Sequence, residues 1–119
     1  MDIVRRIALD QQSWLDTIHA ALAPTMEVHG LCEQIEVKIN DNTNARTATL
    51  TITSKNGGTL FTQAGIAHNA ATVYKATSDS TDFDAFLADE LCTFTILPSE
   101  DPGATGMTVD VVLYLRDVA

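Results

Sequence analysis

Positive charge is what this 119-residue sequence has least of. It has 7 Lys and Arg against 16 Asp and Glu, a net charge of −9. From Ala76 to Leu115 there is not one cation. A surface that binds a phosphate backbone must gather cations to displace counterions, so direct nucleic-acid binding is disfavoured. Attraction to an anionic membrane surface fails for the same reason. Long apolar runs are missing too: no window holds the roughly 18 apolar residues that cross a bilayer as a helix. The start, Met1-Asp2-Ile3-Val4-Arg5-Arg6, resembles a signal peptide only superficially, because Asp10, Gln11 and Gln12 break the apolar stretch at once. The expectation is a chain made and used without export.

Cysteine is scarce. Cys32 and Cys92 are too few for a disulfide framework and show no C-x-x-C spacing. Each falls in a strand-like run, where a small buried thiol is the ordinary outcome; a bridge between the two strands is the alternative. Aromatic residues make up 6% and are scattered, with Trp14 in the N-terminal segment, so no row of rings offers a platform for stacking a sugar.

The residues that are present belong to a globular domain. A hydrophobic share of 45% is ordinary for a packed core, and the length is that of one domain with room for an arm. Residues 2–23 read as an amphipathic helix capped by Asp2 and stopped at Ala23-Pro24. Val4, Ile7, Trp14, Ile18 and Ala21 fall at steps of three, four or seven. Ile3, Leu15 and Leu22 widen the stripe, while Gln11 interrupts it. Such a helix can pack on its own domain, pair with copies of itself or dock on a partner.

From Met26 the period changes to 2. Ile35, Val37 and Ile39 alternate with polar neighbours, and Asn40–Asn44 forms a loop. Ala48, Leu50 and Ile52 then alternate with Thr47, Thr49, Thr51 and Thr53, a strand with one dry face and one threonine-covered wet face. Lys55-Asn56-Gly57-Gly58 is a turn into Thr59–Thr62. A less regular stretch, 63–71, precedes a strand at 72–77. Ser80, Thr81 or Asp82 can cap a helix of one to two turns running to about Glu90. Two clean strands follow, Leu91–Ile96 and Met107–Leu115, around the turn Pro98–Gly106. Val112 and Tyr114 share the outer row of the last strand, so part of its second face is expected to be covered. Six to eight short strands with turns every eight to twelve residues predict a mainly β chain. The expected architecture is an antiparallel β-sandwich over residues 25–119, jelly roll or Greek key ahead of barrel, with a helical arm over residues 1–24.

Signals for chemistry are weak. His19, His29 and His68 sit in three different elements with no Cys or His at ligand spacing, so no metal is expected. There is no P-loop, G-x-S-x-G or G-x-G-x-x-G, and Gly103-Ala104-Thr105-Gly106 leads into a strand rather than a phosphate-binding helix. Asp79, Asp82, Asp84, Asp89 and Glu90 could offer oxygens to calcium, but the EF-hand order fails and a solvated acidic loop is the simpler meaning. Glu33 and Glu36 have no identifiable partner for acid–base work. The expectation is a protein that is not an enzyme and needs no cofactor. Its contacts are expected on the helix stripe (Val4, Ile7, Trp14, Leu15, Ile18, Leu22) and on the threonine face (Thr47, Thr49, Thr51).

A resemblance adds to this. Ala48-Thr49-Leu50-Thr51-Ile52, the Gly-Gly turn with Thr59-Leu60-Phe61, and Phe83-x-Ala85 form its first part. Asp89-Glu90-Leu91-Cys92-Thr93-Phe94-Thr95-Ile96 and the glycine turn into Val109-x-Val111-x-Leu113 complete it. Together they resemble the small β-sandwich proteins of tailed-bacteriophage virions, of the capsid decoration (cement) or head-fibre type. The resemblance covers about residues 45–115 and leaves out the N-terminal segment. It implies a non-enzymatic, multi-copy structural subunit, often trimeric, that binds the capsid lattice or other virion proteins after assembly in the host cytoplasm. A receptor- or glycan-binding jelly-roll module of a tail or fibre is the other reading.

Overall fold

The computed structural model describes residues 4–15, 18–76 and 83–117. Among them there is no helix and there are eight strands. These are β1 Val4–Ala8, β2 Gln12–Trp14, β3 Thr25–Ile39, β4 Ala48–Thr53, β5 Thr59–Ile66, β6 Ala70–Lys75, β7 Phe86–Pro98 and β8 Met107–Arg116. All named pairings are antiparallel. The hydrogen-bonded path runs β1-β8-β3-β7-β4-β5, with β2 also on β8 and β6 also on β3.

The path does not lie flat. In an unfolded sheet Phe61, level with Phe94 and so with the start of β3, would lie about ten residues, roughly 30 Å, along β3 from Tyr74, which pairs with Ile35. The rings of Phe61 on β5 and Tyr74 on β6 are nevertheless 5.8 Å apart. The sheet therefore folds over on itself, and Phe83 sits in the closure, edge-on to Phe61 at 5.2 Å. Between the two halves lies one buried cluster. Ile35, Val37, Val111 and Leu113 enter it from β3 and β8, and Leu50, Ile52, Phe94 and Ile96 from β4 and β7.

The long strand β3 serves both halves. Its first part, Thr25–Cys32, pairs with β7, and its second part, Gln34–Ile39, pairs with β6; β8 runs along the other edge. The register against β8 shifts between Cys32 and Gln34, a bulge with Glu33 as the extra residue. Before it the buried residues are the even ones, Val28 and Cys32; after it they are the odd ones, Ile35, Val37 and Ile39. The bulge thus reverses the alternation so that both parts of one strand face the same core.

The sequence expectation of a helix over residues 2–23, and of a helical arm over 1–24, is corrected. Residues 4–8 and 12–14 are strands laid on β8, with Ile7 opposite Leu113 and Trp14 opposite Met107. The edge of β8 would otherwise leave a row of backbone amides and carbonyls unpaired beside the core, and that non-local demand overrides local helix propensity. Leu22 and Pro24 then run beside β7, bonding to Ile96 and Phe94. The capping residue Asp2 lies outside the described residues. The short helix expected to run to Glu90 is also corrected. Phe86, Ala88 and Cys92 are buried in one strand, with Asp89 and Glu90 opposite His29 and Val28. Its candidate caps, Ser80, Thr81 and Asp82, lie outside the described residues.

Cys32 and Cys92 are free, buried thiols. The register sets Cys32 opposite Phe86 and Cys92 opposite Met26, too far apart along the two strands to bridge. The glycine turn is a folding device, as the sequence suggested. It is fastened to the 40–46 loop by Thr43 Oγ1 and Thr105 Oγ1 at 2.7 Å, Asn44 Nδ2 donating to the Asp101 carbonyl at 3.0 Å, and Arg46 and Glu100 at 3.0 Å.

Strands and a helix make different demands on neighbouring residues. Trp14 is 3% exposed and its Nε1 donates to the Ala20 carbonyl at 2.7 Å, whereas Leu15 is 73% exposed. Trp14→Ala is expected to lower stability by about 3–5 kcal/mol and Leu15→Ala by under about 0.5 kcal/mol. Urea unfolding of the two variants checks this; a shared helical stripe would make both substitutions costly.

Candidate interaction surface

The outer face of β7, β4, β5 and the first part of β3 is rich in threonine. Cross-strand register lines up its threonines. Thr93 faces Thr25 on β3 and Thr53 on β4, while Thr95 faces Thr51 and Thr51 faces Thr62. The Oγ1 atoms of Thr51 and Thr62 are 3.1 Å apart, one hydroxyl satisfying the next. Thr49 lies opposite Leu97. Leu87, Leu91 and Leu97 stand out of the same face of β7, Leu87 being 61% exposed. No Lys or Arg lies on β7, β4 or β5, or on the part of β3 that pairs with β7. Branched residues fit a pleated, half-buried surface, and hydroxyls make such a face able to bond across a contact without being adhesive alone.

One end of the face carries charge. His29 places Nδ1 2.5 Å from Asp89 Oδ1 and Nε2 3.1 Å from Glu27 Oε2. Arg5 donates from Nη2 to the His29 carbonyl and from Nε to Asp117 Oδ1 at 2.7 Å. Around this cluster is an open depression of about 350 Å³ lined by Arg5, His29, Gly30, Leu87, Ala88, Asp89 and Asp117. Its His, Arg and Asp side chains are already committed to one another. Among the described residues no group of three or more His, Cys, Asp or Glu is arranged to hold a metal. Asp79 and Asp82 of the acidic run lie outside the described residues. Glu33 is the ion-pair partner of Arg116, at 2.7 Å.

The residues expected to make contacts divide into three groups. Trp14 is buried, and Ile7 and Leu22 pack against the core, so these three hold the domain together. Val4, Leu15 and Ile18 are exposed but share no stripe. Thr49 and Thr51 do lie on a common outer face, and Thr47, just before β4, accepts from the Ser99 amide through its carbonyl at 2.9 Å. Thr25, Thr62, Thr93 and Thr95 and the three leucines of β7 complete the surface. For these added residues Thr93-x-Thr95 beside Leu91 and Leu97 was the local signal, and only cross-strand pairing joins it to Thr49 and Thr51.

No family model matches the sequence, and no curated protein matches it. Solved structures do match in fold. Its fold is shared with a third of a virus-particle chain. In the structure of infectious bursal disease virus Gx strain, the likeness covers 98% of this chain and 33% of that chain, with a TM-score of 0.54 and 14% identity. In the VP2 subviral particle of the same virus it covers 98% and 32%, with a TM-score of 0.50 and 14% identity. The chain spans about a third of the length of these structures, and at such identity the likeness is one of fold.

The thiols give this surface a clear boundary with the core. Burial pushes the Cys32 thiol up from 9.0 to about 12, and burial raises Cys92 as well. Native protein at pH 8 is therefore expected to leave both unmodified by iodoacetamide, with two alkylated residues appearing on unfolding in urea. A raised thiol pKa favours the protonated folded state. The stability it supplies is whole below about pH 9.0 and falls as the pH climbs towards about 12. Urea midpoints across that range check the sign.

Proposed function

We propose that this chain is a structural subunit of a virion, present in many copies, of the decoration or accessory type that binds a capsid lattice. The observation that carries the reading is the fold shared with virus-particle chains over 98% of this chain. The strand-and-turn resemblance to tailed-phage virion proteins supports the finer assignment to a bacteriophage particle. The folded-over sheet supports a two-layer sandwich of jelly-roll type. In this reading the protein is not an enzyme and uses no cofactor, its partners are other virion proteins and its own copies, and it reaches the virion from the host cytoplasm.

The docking surface in this proposal is the threonine–leucine face. Fully burying Leu87, Leu91 and Leu97 would contribute about 1.5–3 kcal/mol each. A stable contact needs roughly 1,000 Å² with good complementarity, an area a four-strand face can supply. The test is cosedimentation of the purified chain with particles from which it has been removed. Saturable attachment at a fixed copy number is expected. Leu91→Asp and Thr95→Arg, both outward-facing, are expected to weaken attachment at least about tenfold, a loss near 1.4 kcal/mol, with unchanged melting. Absence of attachment at every ratio would overturn the reading, and full attachment of both variants would move the contact off this face.

A further inference from the structure

A folded-over sheet that does not close leaves edges, and an edge strand presents unpaired amides and carbonyls that another strand can meet. Among the described residues β1, β2, β5 and β6 each pair on one side only, β2 over just three residues. Two of these edges are guarded. β1 is five residues long and carries Arg5 and Arg6, so an antiparallel copy centred on Arg6 would set that arginine against its own counterpart. β5 is bulged at both ends: its register against β4 shifts between Ala48 and Leu50 and again between Ile52 and Thr53. Only Phe61–Gln63 remains regular, and bulges of this kind twist an edge away from partners.

Among the described residues β6 carries a single charge, Lys75, and that at its end. Its six residues lie in unbroken register on Gln34–Ile39, with no proline and no charge before Lys75. Val73, at 39% exposure, stands outward beside Glu36. The Ala76 amide donates to the Glu33 carbonyl at 2.9 Å. Antiparallel alternation then turns the backbone groups of Ala71 and Val73 away from β3, towards the open edge.

We infer that β6 is the edge through which two copies of this chain pair, antiparallel about a twofold axis at Val73, continuing the sheet β8-β3-β6 into the same strands of the second copy. The register follows from the residues. With the axis at Val73, that side chain meets its counterpart and is covered, and Ala71 lies opposite the counterpart of Lys75. No like charges face each other. Moving the axis to Lys75 would oppose two lysines. Moving it to Ala71 would set Val73 opposite Asn69, which stands outside the strand with φ of 53°. The pairing belongs to the purified chain and does not depend on attachment to a particle, so either proposal can fail without the other.

Sedimentation velocity of the purified full chain over a wide concentration range tests it. A monomer–dimer equilibrium is expected, with Val73→Lys raising the dissociation constant about a hundredfold through two opposed ammonium groups and a lost apolar contact. Because Val73 faces outward, the variant should melt as the native chain does. Val73→Cys gives an independent reading: facing Cα atoms in such a pair are about 5.5 Å apart, within reach of a disulfide. Mild oxidation is expected to give a dimer linked through position 73, whereas Arg6→Cys on the guarded edge should stay monomeric. A native chain that is monomeric at all concentrations would overturn the inference. So would an oligomer unchanged by Val73→Lys, or linkage through position 6 rather than 73.

Discussion

Everything in this fold depends on β3 being able to face one core from both of its parts. A regular strand of fifteen residues keeps its alternation from end to end. Val28 and Cys32 would then point one way and Ile35, Val37 and Ile39 the other. The extra residue at Glu33 reverses the alternation and lets β7 and β6 succeed each other along one edge while β8 follows the other. The displaced side chain is not wasted on solvent. Glu33 receives Arg116 through two bonds, Nε to Oε1 at 2.7 Å and Nη2 to Oε2 at 3.2 Å, in the paired geometry that carboxylate and guanidinium favour. Three residues earlier Gly30 adopts φ of 134°, and a side chain there would meet the Arg116 carbonyl at 2.9 Å. The bend in β3 and the end of β8 are therefore one construction.

That construction explains what was legible in the sequence. β4, β8 and the later part of β7 keep a single unbroken alternation, so Ala48–Thr53, Leu91–Ile96 and Met107–Leu115 could be read directly. β3 could be read only after its bulge, from Ile35, because Gly30 and Glu33 interrupt the pattern. Residues 4–14 misled for a different reason. Val4, Ile7 and Trp14 happen to sit at helical spacing among good helix formers, while the open edge of β8 that recruits them lies about a hundred residues away in sequence. At Phe86–Glu90 the paired acids hid an alternation that only the buried Phe86 and Ala88 maintain. The threonine face was half visible. Thr47, Thr49 and Thr51 announce a wet strand face, but its width depends on Thr93 and Thr95 lying beside them, and pairing is not written locally.

The charge distribution fits a protein that keeps a broad uncharged face in solution. Arg5, Arg46 and Arg116 are tied to Asp117, Glu100 and Glu33, exposed or partly exposed pairs that contribute little stability on their own. With those cations engaged, the remaining acids give every copy a negative field. Like-charged copies repel at distances up to a Debye length, about 8 Å in physiological salt. A face of threonine and leucine without cations is thus protected from random adhesion by its surroundings rather than by its own residues. Contacts that form must be specific enough to overcome that repulsion at close range.

The two proposed contacts meet that requirement without competing. The threonine–leucine face belongs to β3, β7, β4 and β5 and looks outward along the normal of the folded sheet. The β6 edge offers backbone groups within the plane of the other half, where Val73 is its single exposed large apolar side chain. Pairing at β6 would use none of Thr49, Thr51, Thr93, Thr95, Leu91 or Leu97. A paired subunit would therefore present two such faces related by a twofold axis, and two weak attachments held in fixed geometry bind far more tightly than either alone. In the proposed assembly, affinity for a repeating lattice then arises from copy number and register rather than from any single strong contact.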